Sequence, residues 1–519
     1  MPDDPTIKGA ICLRGRLVVA LSLAVFVVPA WYVASAAGQT APTTTVGVPP
    51  SAQRCQQTID FYRRITVEDY QRVGKRNPAW DDHAQRALQA LAALLALEFR
   101  PEADEYDIMF DSGRRAQDSG CNDPLVLFAL ARGHAYFNRK YEEIVPIHVE
   151  SAMRIADSGY HPLLKCMVNL RAAAMRGKSK TDARAARRDA RRMLATANAV
   201  LPAALADEQI PIDALVTLFD LIGDASAVVE RDRTEAFNVA MAMLEQQARR
   251  QPQRLGAGLL AVIRGRMLLE HALDAARAAQ AQPDTPEVAQ IHQQRLADAL
   301  AAAQHAWQID PHNPLAAELM MSVQVARGKI PDAIGVWFDR AVAVDPDFLR
   351  VYAAKLSLLQ PGQSPHGSIA AMIEFGRQCL AGGRWESGIP LLLVEAHLQA
   401  ASLDEQGRAI DTLRREYFTS DPHIWQDIQA VYEPYLQRYP KSLYHRSRYA
   451  QLAAWCGQWS QADRQLRAMG DRFSLTWFRS AQQYRSLRSE VAEHVASDAE
   501  APSRLPDSQF NSMRNDSGR

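Results

Sequence analysis

The chain has 519 residues, with 59 Lys and Arg balanced by 59 Asp and Glu. At 47% hydrophobic and 23% charged most of it should fold, and 26 Gly with 28 Pro exclude collagen-like and low-complexity classes. Zero net charge argues against a nucleic-acid partner, and six Cys are too few for a disulfide-built scaffold.

The N-terminus carries the first strong signal. Lys8, Arg14 and Arg16 precede an apolar run from Leu17 to Val28 in which Ser22 is the only polar residue, and the run continues to Ala34-Ser35-Ala36. Small residues at the first and third of those positions suit a signal peptidase, which predicts a secretory signal over residues 1–36. Leu17 to Ala37 spans 21 residues, enough to cross a bilayer core of about 30 Å, so an uncleaved anchor is the alternative. In both cases the globular part is expected outside the cytoplasm, in the periplasm or cell envelope, and membrane contact is expected through this segment only. Residues 37–54 read as an extended linker and residues 497–519 as a disordered tail.

Between them the punctuation is that of successive helices. Pro at the first helical position marks starts at Asp123-Pro124, His161-Pro162, Asn313-Pro314 and Asp421-Pro422. Gly-containing stops recur at Arg327-Gly328-Lys329, Gly382-Gly383-Arg384 and Cys456-Gly457-Gln458. Ala-rich stretches such as 84–99 and 296–309 keep apolar residues three and four apart, and no sustained period-2 alternation occurs. An all-α chain is predicted, with a repeat-like helical region over 55–280, repeats over 281–476 and a terminal helix over 477–496.

Three segments share a frame. Pro314 to Pro346 carries Gly328, Ala333, Trp337 and Val344-Asp345-Pro346; residues 369–402 carry Gly376, Gly383 and Trp385; residues 443–476 carry Gly457, Trp459 and Ala462. These residues resemble the tetratricopeptide repeat, a helix-turn-helix of 34 residues. The whole pattern also looks like repeat proteins of the bacterial envelope. The match is degenerate: Met321 stands where the pattern has Gly, Gly388 where it has Ala, and residues 360–367 interrupt it. The resemblance implies a right-handed solenoid of helical hairpins whose concave face binds a protein or peptide. Carried over position by position, that face comprises Glu318 and Ser322, then Arg377, then Tyr444, Ser447, Gln451 and Trp455. Packing against the following helix is an equal reading of Trp455. Ala333 and Ala462 would let paired helices approach closely, with Trp337 wedged between neighbouring repeats.

Chemistry is harder to find. Ser364 beside His366 lacks the preceding strand and flanking glycines of a nucleophile elbow. None of the 13 His makes the His-x-x-x-His spacing of a helical metal site, and no Gly-rich phosphate loop occurs. No catalytic residue, cofactor or metal is therefore expected. Arg184, Arg187, Arg188 and Arg191 share one helix face and form a basic patch, read either as an anion-binding surface or as a solvated face. Among the cysteines, Cys55, Cys121 and Cys166 lie in the N-terminal half, where a Cys121–Cys166 bridge is the expected pair; Cys379 and Cys456 read as buried thiols. The leading expectation is an exported scaffold or adaptor that binds a protein or peptide partner. The alternative is an envelope enzyme whose site would draw on Asp104, Glu105, Asp107, Asp111 and His134.

Overall fold

The computed structural model describes residues 51–96, 104–137, 141–179, 182–229, 233–252, 255–281, 286–328, 331–363, 367–403, 413–478 and 480–500. The secretory segment, residues 37–50 of the linker and residues 501–519 of the tail lie outside them. Among the described residues there is no β-strand, and no helix is long and apolar enough to cross a membrane. The all-α expectation holds.

By contact the chain divides into two compact units, residues 1–101 with 105–413 and residues 102–104 with 414–519. The sequence pattern had placed its main boundary at 280. The first unit opens with α1 (Ser51–Arg63), α2 (Asp69–Val73), α3 (Asp81–Ala96), α4 (Glu105–Asp118), α5 (Pro124–Phe137) and α6 (Tyr141–Ile155). It continues through α7 (Pro162–Gly177), α8 (Ala183–Ala206), α9 (Ile212–Val229), α10 (Arg233–Arg250), α11 (Ala257–Ala281) and α12 (Pro286–Ile309). It ends with α13 (Pro314–Ala326), α14 (Pro331–Val344), α15 (Leu349–Leu358), α16 (Ile369–Ala381) and α17 (Leu392–Ala401). The second unit contains α18 (Pro422–Arg438), α19 (Leu443–Trp455), α20 (Trp459–Met469), α21 (Leu475–Phe478) and α22 (Ala481–Glu500).

Local chemistry explains many of these boundaries. At each of the four Pro starts the preceding side chain caps the helix, accepting from the backbone N–H two residues on: Asp123 from Leu125 at 2.9 Å, His161 from Leu163 at 3.1 Å, Asn313 from Leu315 at 3.1 Å and Asp421 from His423 at 2.9 Å. The stops are equally local. Gly328, Gly383 and Gly457 adopt φ of 69°, 64° and 71°, the left-handed turn that a side chain would strain.

Packing then follows chain order. Most of the extensive helix pairs are sequence neighbours, among them α3 on α4, α7 on α8, α11 on α12, α13 on α14 and α19 on α20. Alternate helices also touch, as α7 does α9 and α11 does α13, so hairpins stack into an α-solenoid arrangement. Small residues permit the close approaches. A Cβ on Gly376 would lie 2.8 Å from Leu393 Cα across the α16–α17 hairpin, a clash that only Gly avoids. In the second unit Ala462 is fully buried with Ala450, Ala453, Tyr484, Leu487 and Val491. Ala462→Trp should therefore lower stability by about 1–3 kcal/mol through overpacking, measured by urea unfolding. An unchanged midpoint would remove Ala462 from the interface. The Ala333 side chain lies outside the described residues.

Several expectations need correction. Residues 51–54, assigned to the linker, already belong to α1, and residues 497–500, assigned to the tail, extend α22. The first helix passes through a π-helical turn at Arg64–Glu68, where Thr66 Oγ1 donates to Tyr62 O at 2.6 Å. The repeat frame around Trp385 does not form one helix. Gly388, at φ 70°, separates two 3-10 turns before α17 begins. Cys121 and Cys166 are both free and buried, so the expected bridge is absent. Cys121 closes the turn after α4, its N–H donating to Ala116 O, whereas the Cys166 thiol points at Ala197 O of α8. Burial pushes the Cys166 thiol up to about 12, which keeps it protonated and unreactive.

Candidate functional site

In the first unit the carried-over groove positions have different fates. Glu318 on α13 is only 7% exposed and lies between Arg266 of α11, at 3.5 Å, and Arg350 of α15, at 2.9 Å. Arg266 is also paired with Asp220 at 3.1 Å. Burial by itself would lower the Arg266 pKa, but Asp220 and Glu318 hold it above its ordinary value. Glu318 is thus an internal counterion rather than a groove residue, because helices on both sides cover it. Ser322 is half-buried and Arg377 is exposed.

In the second unit Ser447 is fully buried. Its Oγ accepts from Ser474 N–H at 3.0 Å and lies 3.2 Å from Met469 Sδ. Tyr444, 7% exposed, packs edge-on against His445 and Trp477. Both are corrected from groove to core. Gln451 and Trp455 are half-buried. The Trp455 ring lies 5.3 Å from Phe418, on the 3-10 turn Arg415–Thr419 that precedes α18. Around them is an aromatic interior. Tyr449 stacks on Trp425 at 5.7 Å, and its hydroxyl donates to Glu433 at 2.9 Å. Gln461 Nε2 donates to the same carboxylate at 2.7 Å. Arg448, 1% exposed, sits 5.4 Å from the Trp477 ring centre.

The basic patch lies on α8. Arg184, Arg187, Arg188 and Arg191 are all exposed, while Ala186, Ala190, Met193 and Leu194 form the buried face of the same helix. Two of the N-terminal carboxylates, Asp111 and Asp104, have partners. Asp111 pairs with Arg115 at 3.1 Å, and Asp104, within the second unit, accepts from Ser474 Oγ and Thr476 Oγ1 at 3.0 Å each. The His134 side chain lies outside the described residues. Among those residues no group of three His, Cys, Asp or Glu is placed to hold a metal ion.

A polar node that the pattern did not reveal joins α2, α3, α5 and the start of α7. Besides capping α5, Asp123 accepts from Tyr160 Oη at 2.9 Å and from Lys75 N–H at 3.0 Å. Burial pushes its carboxyl above the usual range although each hydrogen bond pulls it down. Tyr70 Oη donates to Asp81 at 2.8 Å, and Asp69 accepts from His161 N–H at 3.1 Å. These contacts run between segments up to 92 residues apart and fix the hairpins against one another.

One aromatic feature of the surface lies on α12 and α14 of the first unit. Trp307 near the end of α12 and Trp337 on α14 meet edge-to-face at 5.1 Å, both half-buried. The exposed guanidinium of Arg340 lies 5.5 Å and 4.3 Å from their ring centres. Ile309, 40% exposed, and Val336, 47% exposed, belong to the same two helices. Trp337 also packs against the core cluster that includes Leu319, Met320 and Val323 of α13, its own hairpin partner.

No protein-family model matches this chain, and no curated protein does. Among solved structures the chain is similar to a circular tandem repeat protein with novel repeat topology and enhanced subunit contact surfaces. The identity is 16%, the match covers 86% of this chain and 91% of that one, and the TM-score is 0.24. A likeness that weak says nothing of what the chain binds. The order and pairing of its own helices make it an all-α helical-repeat protein.

Proposed function

We propose that the chain is an exported helical-repeat scaffold that binds a protein or peptide partner and performs no catalysis itself. The supporting observation is the Trp307–Trp337–Arg340 surface of the first unit. Trp and Arg are the side chains in which interface energy concentrates. Here both rings remain partly open to solvent, beside exposed Ile309 and Val336. The arginine, held near the rings by cation–π attraction, is placed to meet a partner carboxylate. Export rests on the residue pattern of the first 36 positions.

The test uses full-length chain and the double variant Val336→Glu/Arg340→Glu, which alters exposed side chains and should melt with the wild type. An envelope protein retained by the wild type should bind the variant at least about tenfold more weakly, the effect of losing about 1.4 kcal/mol. Equal retention of every captured protein would remove this surface as the site.

A further inference from the structure

We propose that the arginine face of α8 in the first unit is an electrostatic docking surface for anionic phospholipid headgroups. Arg184, Arg187, Arg188 and Arg191 stand at i, i+3, i+4 and i+7, so they fall within about 100° of arc and about 10 Å of helix length. All four are exposed. The buried residues of the helix, Ala186, Ala190, Met193, Leu194 and Ala197, lie on the side away from this row, and α8 packs on α7, α9 and α10. The row therefore points away from the unit that carries it.

Other exposed arginines of this chain are held by an acid four residues away on their own helix. Arg115 meets Asp111 at 3.1 Å, Arg154 meets Glu150 at 2.7 Å and Arg467 meets Asp463 at 2.7 Å. On α8 that arrangement is missing. Asp189 is the one acid within the helix; it is half-buried and engaged by Arg176 at 3.2 Å and Arg192 at 3.9 Å. Asp182 precedes the helix and caps it, accepting from Ala185 N–H at 3.2 Å. Among the described residues no acid pairs with any of the four. They therefore repel one another at i,i+3 and i,i+4, and Arg184 adds a cation to the first turn, at the positive end of the helix dipole. A solvated face is served as well by mixed charge, as on the helices just named, whereas a row of one sign is what an anionic layer attracts.

The kind of anion follows from what the face lacks. α8 has no aromatic residue, and Ala195 and Ala199 are the exposed residues that continue it, so nothing stacks on a base and no apolar anchor seats in a protein pocket. A headgroup layer needs neither, because many like charges in a plane act through their summed potential. The chain has zero net charge, so the attraction is local and turns α8 toward the bilayer. The apolar run from Leu17 to Ala37, read as a secretory signal or an anchor, would deliver the same chain to a membrane. Docking through α8 is an additional contact.

Partitioning of the full chain is measured at low salt by lipid titration, with phosphatidylcholine vesicles and with mixed phosphatidylcholine–phosphatidylglycerol vesicles. The N-terminal segment contributes to both and cancels in the ratio. The wild type should prefer the anionic vesicles by at least about thirtyfold, and added sodium chloride should abolish the preference. Arg187→Gln/Arg191→Gln should reduce it by about fivefold for each arginine removed, while melting at or above the wild type. Arg187→Lys/Arg191→Lys keeps the charge and should keep the preference. Arg249→Gln/Arg250→Gln, at exposed positions in the last turn of α10, removes the same net charge and should leave the preference within about twofold of the wild type. The proposal is overturned if both vesicle types take up the wild type equally, if the α8 Gln variant keeps the preference, or if the α10 variant loses as much. It falls too if the α8 Gln variant melts below the wild type, since the arginines would then be structural. Tighter binding of the wild type to polyglutamate or duplex DNA than to anionic vesicles, at equal charge concentration, would overturn it in favour of an acidic protein or a nucleic acid.

Discussion

Lowering the pH from 7 to 4.5 is expected to destabilise the first unit by about 2–3 kcal/mol through His148 alone. His148→Leu is expected to remove that share of the pH dependence. The imidazole is almost wholly buried and its folded pKa is pushed down to about 3 from 6.5. Below pH 6.5 the unfolded chain takes up a proton that the folded chain refuses until near pH 3. The stability is therefore complete above 6.5 and falls by about 1.4 kcal/mol per pH unit as acid is added through that window. His445, buried in the second unit and held well below its ordinary value by burial and then Arg448, adds a loss of the same sign there. Asp123 works in the opposite sense. Its raised pKa gives a contribution present below the ordinary carboxylate value and lost as pH rises through the folded one. Urea unfolding of wild type and His148→Leu at pH 7 and 4.5 isolates the histidine, because Asp123 is common to both. Equal pH dependences would mean that His148 is charged, or solvated, in the folded chain.

How much of this was legible in the sequence depends on the range of the cause. The Pro starts at 124, 162, 314 and 422 and the left-handed stops at Gly328, Gly383 and Gly457 arise from contacts within a few residues, and the pattern placed them correctly. Gly376 was readable for a related reason, since a repeat frame encodes which position meets the paired helix. The groove positions were not. Glu318 is covered by Arg266, 52 residues earlier, and Arg350, 32 residues later, while Ser447 is covered by Ser474, 27 residues on. Burial of that kind depends on which helices flank the hairpin, and a degenerate repeat does not carry that information.

Asp123 and Asp421 turn the same distinction into a measurement. Both precede a proline and both cap a helix through a 2.9 Å bond to the N–H two residues on, so the sequence treats them alike. Asp421 is exposed, with half of its side chain in water, and Asp421→Ala should cost about 1 kcal/mol, the usual loss of a cap. Asp123 is 1% exposed and holds three further groups: Tyr160 Oη, Lys75 N–H and, more distantly at 3.4 Å, Val126 N–H. Asp123→Ala removes the cap and leaves the Tyr160 hydroxyl in a buried place without its acceptor, where each lost charge-assisted bond costs about 1.5–3 kcal/mol. The expected loss is about 3–5 kcal/mol. Tyr160→Phe, which removes the donor while keeping the ring, should recover part of it in the double variant, because the orphaned hydroxyl disappears with it. Equilibrium urea unfolding of the two alanine variants and the Asp123→Ala/Tyr160→Phe pair measures each step. Equal losses at Asp123 and Asp421 would show that the long-range bonds contribute nothing and that Asp123 is a helix cap alone.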